Sequence, residues 1–117
     1  MASVPSLYKQ FEDYFRIGAA INKRTMHESR DTIIKHFNSI TAENEMKFEN
    51  LHPKEDEYDF SISDAMVSFA EENNIGVRGH TLVWHNQTSN WIFKKEGQAV
   101  DPDTLLHRMK SHIDTVL

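Results

Sequence analysis

Residues 41–48, with the sequence TAENEMKF, concentrate polar side chains that could bind a ligand. They include the carboxylate of Glu43, the amide of Asn44 and the ammonium group of Lys47. Together these groups offer hydrogen-bond acceptors and donors in several directions, as a ligand with many hydroxyl groups requires. A solvated strand edge would have the same composition, so these residues alone leave both interpretations open.

Residues 79–87, with the sequence GHTLVWHNQ, form a second stretch with binding chemistry. The indole face of Trp84 could pack on the C–H surface of a pyranose ring, while His80 and Gln87 bind its hydroxyl groups. The alternative is a core tryptophan beside a hydrogen-bonded histidine. Periodicity favours neither interpretation over the other.

A shared metal site in this stretch is disfavoured. An extended strand would place His80, Leu82 and Trp84 on one face and His85 on the other, so the two imidazoles would point apart. The sequence also lacks the HExxH spacing of common zinc sites, and it contains no cysteine. We therefore expect no metal and no cofactor.

The elements that must position these residues alternate along the chain. Ser6 begins a short helix, and three strand–helix pairs follow, a pattern typical of βα units with a parallel sheet. In such sheets, ligands bind at the carboxyl ends of the strands, where both polar stretches fall. The predicted strands lie within 15–21, 39–48 and 75–84, and the predicted helices lie within 30–37, from 61 to about 72, and from 102 to the end.

Local signals mark the helix ends. Ser61 is predicted to cap its helix, with Asp64 in the position of a capping-box acid. Asp101 followed by Pro102 predicts the start of the last helix. We expect His107 and His112 to lie at the surface or in a groove. The apolar residues predicted to line one face of the last helix are Leu105, Leu106, Met109, Ile113, Val116 and Leu117.

Composition narrows the function classes. The 117 residues carry 13 Lys and Arg against 18 Asp and Glu, a net charge of −5, which argues against a nucleic-acid-binding protein. No apolar run is long enough to span a membrane, and no phosphate-binding glycine loop or Gly-x-Ser-x-Gly motif is present. No signal peptide is encoded, so we expect a cytoplasmic protein, or a secreted one if a leader was removed.

The chain looks like part of a larger α/β protein. Its last helix runs into Val116 and Leu117 without a polar or glycine stop. A parallel sheet of only three strands would leave two open edges. We therefore expect residues 1–117 to be the N-terminal portion of a larger protein.

Taken together, residues 39–48 and 79–87 resemble the glycoside hydrolase family 10 endo-β-1,4-xylanases. Residues 15–20 are similar to the first strand of that family, and 52–60 to the loop after its second. The resemblance implies a (β/α)₈ TIM barrel, of which residues 1–117 supply the first three βα units of one catalytic domain, truncated after the third helix. It also implies retaining hydrolysis of xylan by two glutamates, both beyond Leu117.

The resemblance implies roles for individual residues in binding xylan or xylo-oligosaccharides on the glycone side of the cleaved bond. It gives no role to Glu45 and leaves that of His85 open, and it places no catalytic residue in this chain. The substrate-binding residues that it implies are Glu43, Asn44, Lys47, His80, Trp84 and Gln87.

Other functions remain open from sequence alone. The chain could be a non-catalytic carbohydrate-binding half-barrel that needs a complementary barrel fragment, or it could self-associate. It could also be an unrelated small α/β domain. In each case we expect no hydrolysis by this chain alone, because it lacks the two carboxylates of the family's mechanism.

Overall fold

The computed structural model describes residues 3–117, which form helices and strands in the predicted alternating order. Six α-helices, one 3-10 helix and five strands are present in these residues. They are α1 Leu7–Phe11, β1 Gly18–Ile21, α2 Lys23–Glu28, α3 Arg30–His36, β2 Ser39–Ala42, α4 Phe48–Leu51, α5 Ser61–Glu72, β3 Gly76–Val77, the 3-10 helix Asn90–Phe93, β4 Lys94–Lys95, β5 Gln98–Ala99 and α6 Pro102–Val116.

A parallel sheet in the order β1–β2–β3 organises the fold. Gly18 pairs with Ser39 at the start of β1, and Ser39 in turn pairs with Gly76 of β3. The helices α2, α3 and α5 cover one side of this sheet, and a cluster of buried apolar side chains fills the space between. This α/β arrangement is that of the first βα units of a TIM barrel, as predicted. The buried core residues are Ile21, Met26, Ile33, Ile40, Ala42, Met66, Phe69, Ala70 and Ile75.

The third strand is much shorter than predicted. It covers only Gly76–Val77, and its pairing with β2 ends where the Arg78 N–H donates to the Ile40 carbonyl at 2.9 Å. The neighbouring β2 continues to Ala42, so the residues beyond Arg78 leave the sheet before their neighbour ends. The prediction of a strand through residue 84, with alternating faces at positions 80–85, is therefore wrong.

Two helix starts also differ from prediction. An additional helix, α2, follows β1 directly, and a capping box between Asn22 and Thr25 stabilises its first turn. Ser61 does not cap α5: Phe60 occupies the cap position, and both the amide and the hydroxyl of Ser61 donate to Asp59 instead. Asp101 caps α6 as predicted, because its carboxylate accepts from the Thr104 amide at 2.8 Å.

The packing of α6 is the largest departure from prediction. Its fully or nearly buried residues are Arg108 and His112, whereas Leu106 is 62% exposed. The expectation that His112 lies at the surface is wrong, since its ring is completely buried. Residues 85–100, between the last predicted strand and the last predicted helix, contain the 3-10 helix and the β4–β5 hairpin, and Arg108 donates to carbonyl groups of that segment.

Part of the sheet remains exposed within this chain. Gly18 and Ala20 of β1 are exposed, as is Val77 of β3 at 39%. Among residues 3–117, no helix is long and apolar enough to cross a membrane.

Candidate functional site

The two polar stretches meet at the carboxyl ends of β1, β2 and β3. After β2 the chain turns through residues 43–47 before α4 begins, and this turn presents the polar side chains beyond the strand. After β3, residues 78–89 fold back over the same edge without regular structure. Strand ends of a parallel sheet therefore bring together groups that are about 40 residues apart in the sequence.

Three side chains from these segments form a closed hydrogen-bonded cluster. The ammonium group of Lys47 donates to Asn44 Oδ1 at 3.0 Å and to Gln87 Oε1 at 2.7 Å. The Gln87 amide nitrogen also donates to Asn44 Oδ1, at 3.0 Å. Each of the three residues contacts both of the others, so their polar atoms are held in place before any ligand arrives.

Trp84 lies beside this cluster. The ammonium nitrogen of Lys47 is 5.1 Å from the centroid of the Trp84 ring, a cation–π distance. His80 is tilted against the same indole with ring centroids 6.5 Å apart, and His85 packs on its edge at 5.1 Å. The Trp84 side chain is 37% exposed, so it is a surface platform and not a core residue.

Glu43 lies at the same edge, where it contacts Asn22, a residue that the sequence analysis did not predict to be part of the site. The amide nitrogen of Asn22, the first residue after β1, donates to Glu43 Oε2 at 2.7 Å. The signal that could have revealed Asn22 is its position, because it follows a parallel strand directly, as Glu43 does. All six residues predicted to bind substrate thus lie at one edge of the sheet, and Asn22 joins them.

The polar groups of this edge are suited to neutral ligands that both donate and accept hydrogen bonds. Asn44 Oδ1 accepts two bonds within the cluster, which leaves its NH₂ group for a ligand. The ammonium of Lys47 uses two of its three protons within the cluster. An exposed indole beside such donors is an arrangement that suits a sugar ring. No group of three or more metal-ligating side chains occurs within residues 3–117.

A buried anchor holds the segment that carries Gln87. The Ser89 hydroxyl and the Trp91 indole N–H both donate to the His52 carbonyl, at 2.9 and 3.0 Å. Gln87 itself adopts a left-handed backbone conformation, with φ of 51°, and its carbonyl accepts from the Glu49 amide. The position of Gln87 in the cluster is therefore held by its own carbonyl and by the side chains of Ser89 and Trp91, which follow it in the chain.

A pair of buried histidines lies below this anchor. His52 Nδ1 and His112 Nδ1 are 3.0 Å apart, and the rings stack on Tyr58 and Phe48 respectively. Burial, and to a smaller extent the electrostatic effect of the neighbouring His52, lower the pKa of His112 to about 4. The Leu82 backbone acts in the opposite direction, although it makes no hydrogen bond that satisfies the buried His112 Nε2.

The chain is similar to known xylanases over nearly all of its length. It is 50% identical to endo-1,4-beta-xylanase B from Paenibacillus barcinonensis over 115 residues, which is 97% of this chain and 35% of that protein. A crystal structure of xylanase XynB from the same organism, complexed with a conduramine derivative, superposes with a TM-score of 0.95 at 49% identity, covering 99% of this chain and 35% of the other.

A structure of TsXylA, an intracellular xylanase from Thermoanaerobacterium saccharolyticum, in a mutant complex with xylotetraose, is also similar. Its TM-score is 0.92 at 39% identity, covering 97% of this chain and 37% of the other. The chain thus spans about a third of the length of the relatives that it matches. The family model described as glycosyl hydrolase family 10 matches residues 6–117, which confirms the resemblance seen in the sequence, and the chain belongs to that family.

Proposed function

We propose that this chain forms the glycone-side sugar-binding wall of an endo-β-1,4-xylanase that hydrolyses xylan and xylo-oligosaccharides with retention of configuration. In this proposal residues 1–117 are the N-terminal part of one catalytic barrel. The two catalytic glutamates implied by the family resemblance belong to the remainder of the barrel. The chain supplies binding energy and orientation, which accelerate hydrolysis only together with those carboxylates.

The observation that carries this proposal is the Asn44–Lys47–Gln87 cluster beside the exposed face of Trp84. Its internal hydrogen bonds satisfy Asn44 Oδ1 and Gln87 Oε1 but leave N–H donors for hydroxyl groups. The indole supplies the apolar surface that a pyranose ring requires. The xylotetraose complex of the Thermoanaerobacterium saccharolyticum relative supports a xylo-oligosaccharide as the ligand.

A hybrid barrel tests the proposal directly. In this protein, residues 6–117 replace the third of the Paenibacillus barcinonensis xylanase that they match, and the other two-thirds of that enzyme are retained. We expect the hybrid barrel to release xylo-oligosaccharides from xylan. We expect Lys47→Ala to raise KM and lower kcat/KM by about ten- to a hundredfold, because it removes two bonds of the cluster as well as a donor to the ligand.

Lys54→Ala is the matched control for Lys47→Ala. Lys54 is an exposed lysine that pairs only with the exposed Glu57 among residues 3–117, and its replacement should leave kcat/KM unchanged. A hybrid barrel that melts cooperatively yet neither binds xylotetraose nor cleaves xylan would contradict the proposal. Equal kcat/KM values for Lys47→Ala and Lys54→Ala would contradict the role given to the cluster.

A further inference from the structure

Asn22 and Glu43 connect the ends of β1 and β2, and the orientation of the Asn22 amide is set by its helix cap. Asn22 Oδ1 accepts from the Thr25 backbone amide at 2.9 Å, as part of the capping box at the start of α2. The oxygen of the amide is therefore committed to the helix. Its NH₂ group must point away from the helix, toward Glu43 Oε2, which it reaches at 2.7 Å.

A second contact joins the same two chain segments. Glu45 Oε1 accepts from the Lys23 backbone amide at 3.3 Å, and Glu45 Oε2 accepts from the Asn44 backbone amide at 3.0 Å. This carboxylate thus bridges the start of α2 and the turn after β2. The bridge fixes the separation of the two segments, so that the Asn22 amide reaches Glu43 without rearrangement. It also gives a structural role to Glu45, for which the sequence provided none.

We propose that Asn22 is a positioning residue for Glu43, a role that rests on the proposed function. Its amide holds Oε2 of the carboxylate and thereby keeps Oε1 available to a sugar hydroxyl. Within residues 3–117, Asn22 is the side chain that donates to this carboxylate. A charge-assisted hydrogen bond of this kind restricts the carboxylate to one orientation, so that less rotational freedom is lost when a ligand binds.

Variants with Asn, Asp or Ser at position 22 distinguish the positioning of Glu43 from the capping of α2. Asn, Asp and Ser are about equally good N-caps, and an aspartate gains further from the helix dipole. If Asn22 only caps α2, Asn22→Ser and Asn22→Asp should therefore leave the affinity for xylotetraose unchanged. The positioning role predicts a loss of affinity for both, because Ser cannot reach Glu43 with a donor and Asp repels it.

The experiment measures xylotetraose binding by calorimetry to catalytically silent hybrid barrels with Asn, Ser or Asp at position 22. We expect the Kd to rise about three- to tenfold in Asn22→Ser and further in Asn22→Asp, while α2 remains capped in both variants. In a Glu43→Ala background, we expect Asn22→Ser to have no additional effect. An equal effect of Asn22→Ser with and without Glu43 would overturn the proposal.

A crystal structure of the Asn22→Ser hybrid barrel provides a readout that does not depend on xylotetraose. We expect the Glu43 carboxylate to leave its position beside residue 22 while α2 remains capped. A Glu43 side chain that keeps its position in this variant would overturn the positioning role, even if the parent binds xylotetraose. Failure of the parent hybrid barrel to bind xylotetraose would instead count against the proposed function alone.

Discussion

The buried histidine pair makes a quantitative prediction about stability in acid. His52 Nε2 lies 2.9 Å from the Glu55 carbonyl, so this nitrogen must carry a proton and donate. His52 Nδ1 is then an acceptor in the neutral ring, and it accepts from the Nδ1–H of His112 at 3.0 Å. This tautomer assignment follows from the hydrogen-bond partners, and it satisfies the pair in its uncharged form. A charge on this pair would be buried between Phe48 and Tyr58.

The sign of the pH dependence follows from the lowered pKa of His112. Above pH 6.5 the ring is neutral in both the folded and the unfolded chain, so it contributes no pH dependence. As the pH falls from 6.5 toward about 4, the unfolded chain binds a proton that the folded chain excludes, and stability is lost. At about 1.4 kcal/mol for each tenfold difference in proton affinity, the full loss is about 3 kcal/mol. About 2 kcal/mol of it is reached by pH 5.

Urea unfolding at several pH values between 7 and 5 measures the free energy of unfolding of the hybrid barrel. His112→Asn is the informative variant, because its amide can still donate to His52 Nδ1 but does not titrate. We expect it to be less stable than the parent at pH 7, since it loses the stacking on Phe48. We expect the difference to narrow by about 2 kcal/mol at pH 5.

His107→Asn removes an exposed histidine from the same helix and serves as the control for the loss of an imidazole. If the stabilities of the parent and of His112→Asn fall in parallel from pH 7 to pH 5, the reasoning from burial is refuted. A parent hybrid barrel that becomes more stable as the pH falls through this range would refute the predicted direction of the pH dependence.

Three further outcomes are expected. In the hybrid barrel, Trp84→Ala should lower kcat/KM on xylo-oligosaccharides about ten- to a hundredfold, whereas Glu57→Ala, which removes an exposed charge, should not; equal values would contradict the stacking role. Arg108→Met should lower the free energy of unfolding by about 2–4 kcal/mol, measured in urea, because the Arg108 guanidinium donates to the carbonyl groups of Trp91, Ile92 and Lys94. Residues 1–117 alone should self-associate in light scattering, since Val77 is exposed and both β1 and β3 are edge strands, and should release no reducing sugar from xylan. A cooperatively melting monomer would refute the expected self-association, and turnover in preparations free of host enzymes would refute the expected inactivity.

Much of the fold could be predicted because the helices are marked by local sequence patterns, namely the spacing of apolar residues and the residue types at helix starts. The apolar positions of α5 recur at helical spacing, and Met66, Phe69 and Ala70 of that helix are indeed buried. Asp101 followed by Pro102 marks the start of α6 through the chemistry of the first turn alone. Strand lengths could not be predicted in this way, because they depend on pairing with distant segments: β3 ends at Val77, whereas the strand beside it continues to Ala42.

The sequence by itself predicted that six polar or aromatic side chains lie at the carboxyl-end edge of the sheet, because the carboxyl ends of parallel strands converge in any such fold. The family to which the chain belongs could be predicted from the resemblance of residues 39–48 and 79–87. Only the tertiary structure decided that Asn22 holds Glu43 and that His112 is buried against His52, 60 residues away. A polar side chain carries no signal of its own burial: its environment depends on partners that distant segments bring to it.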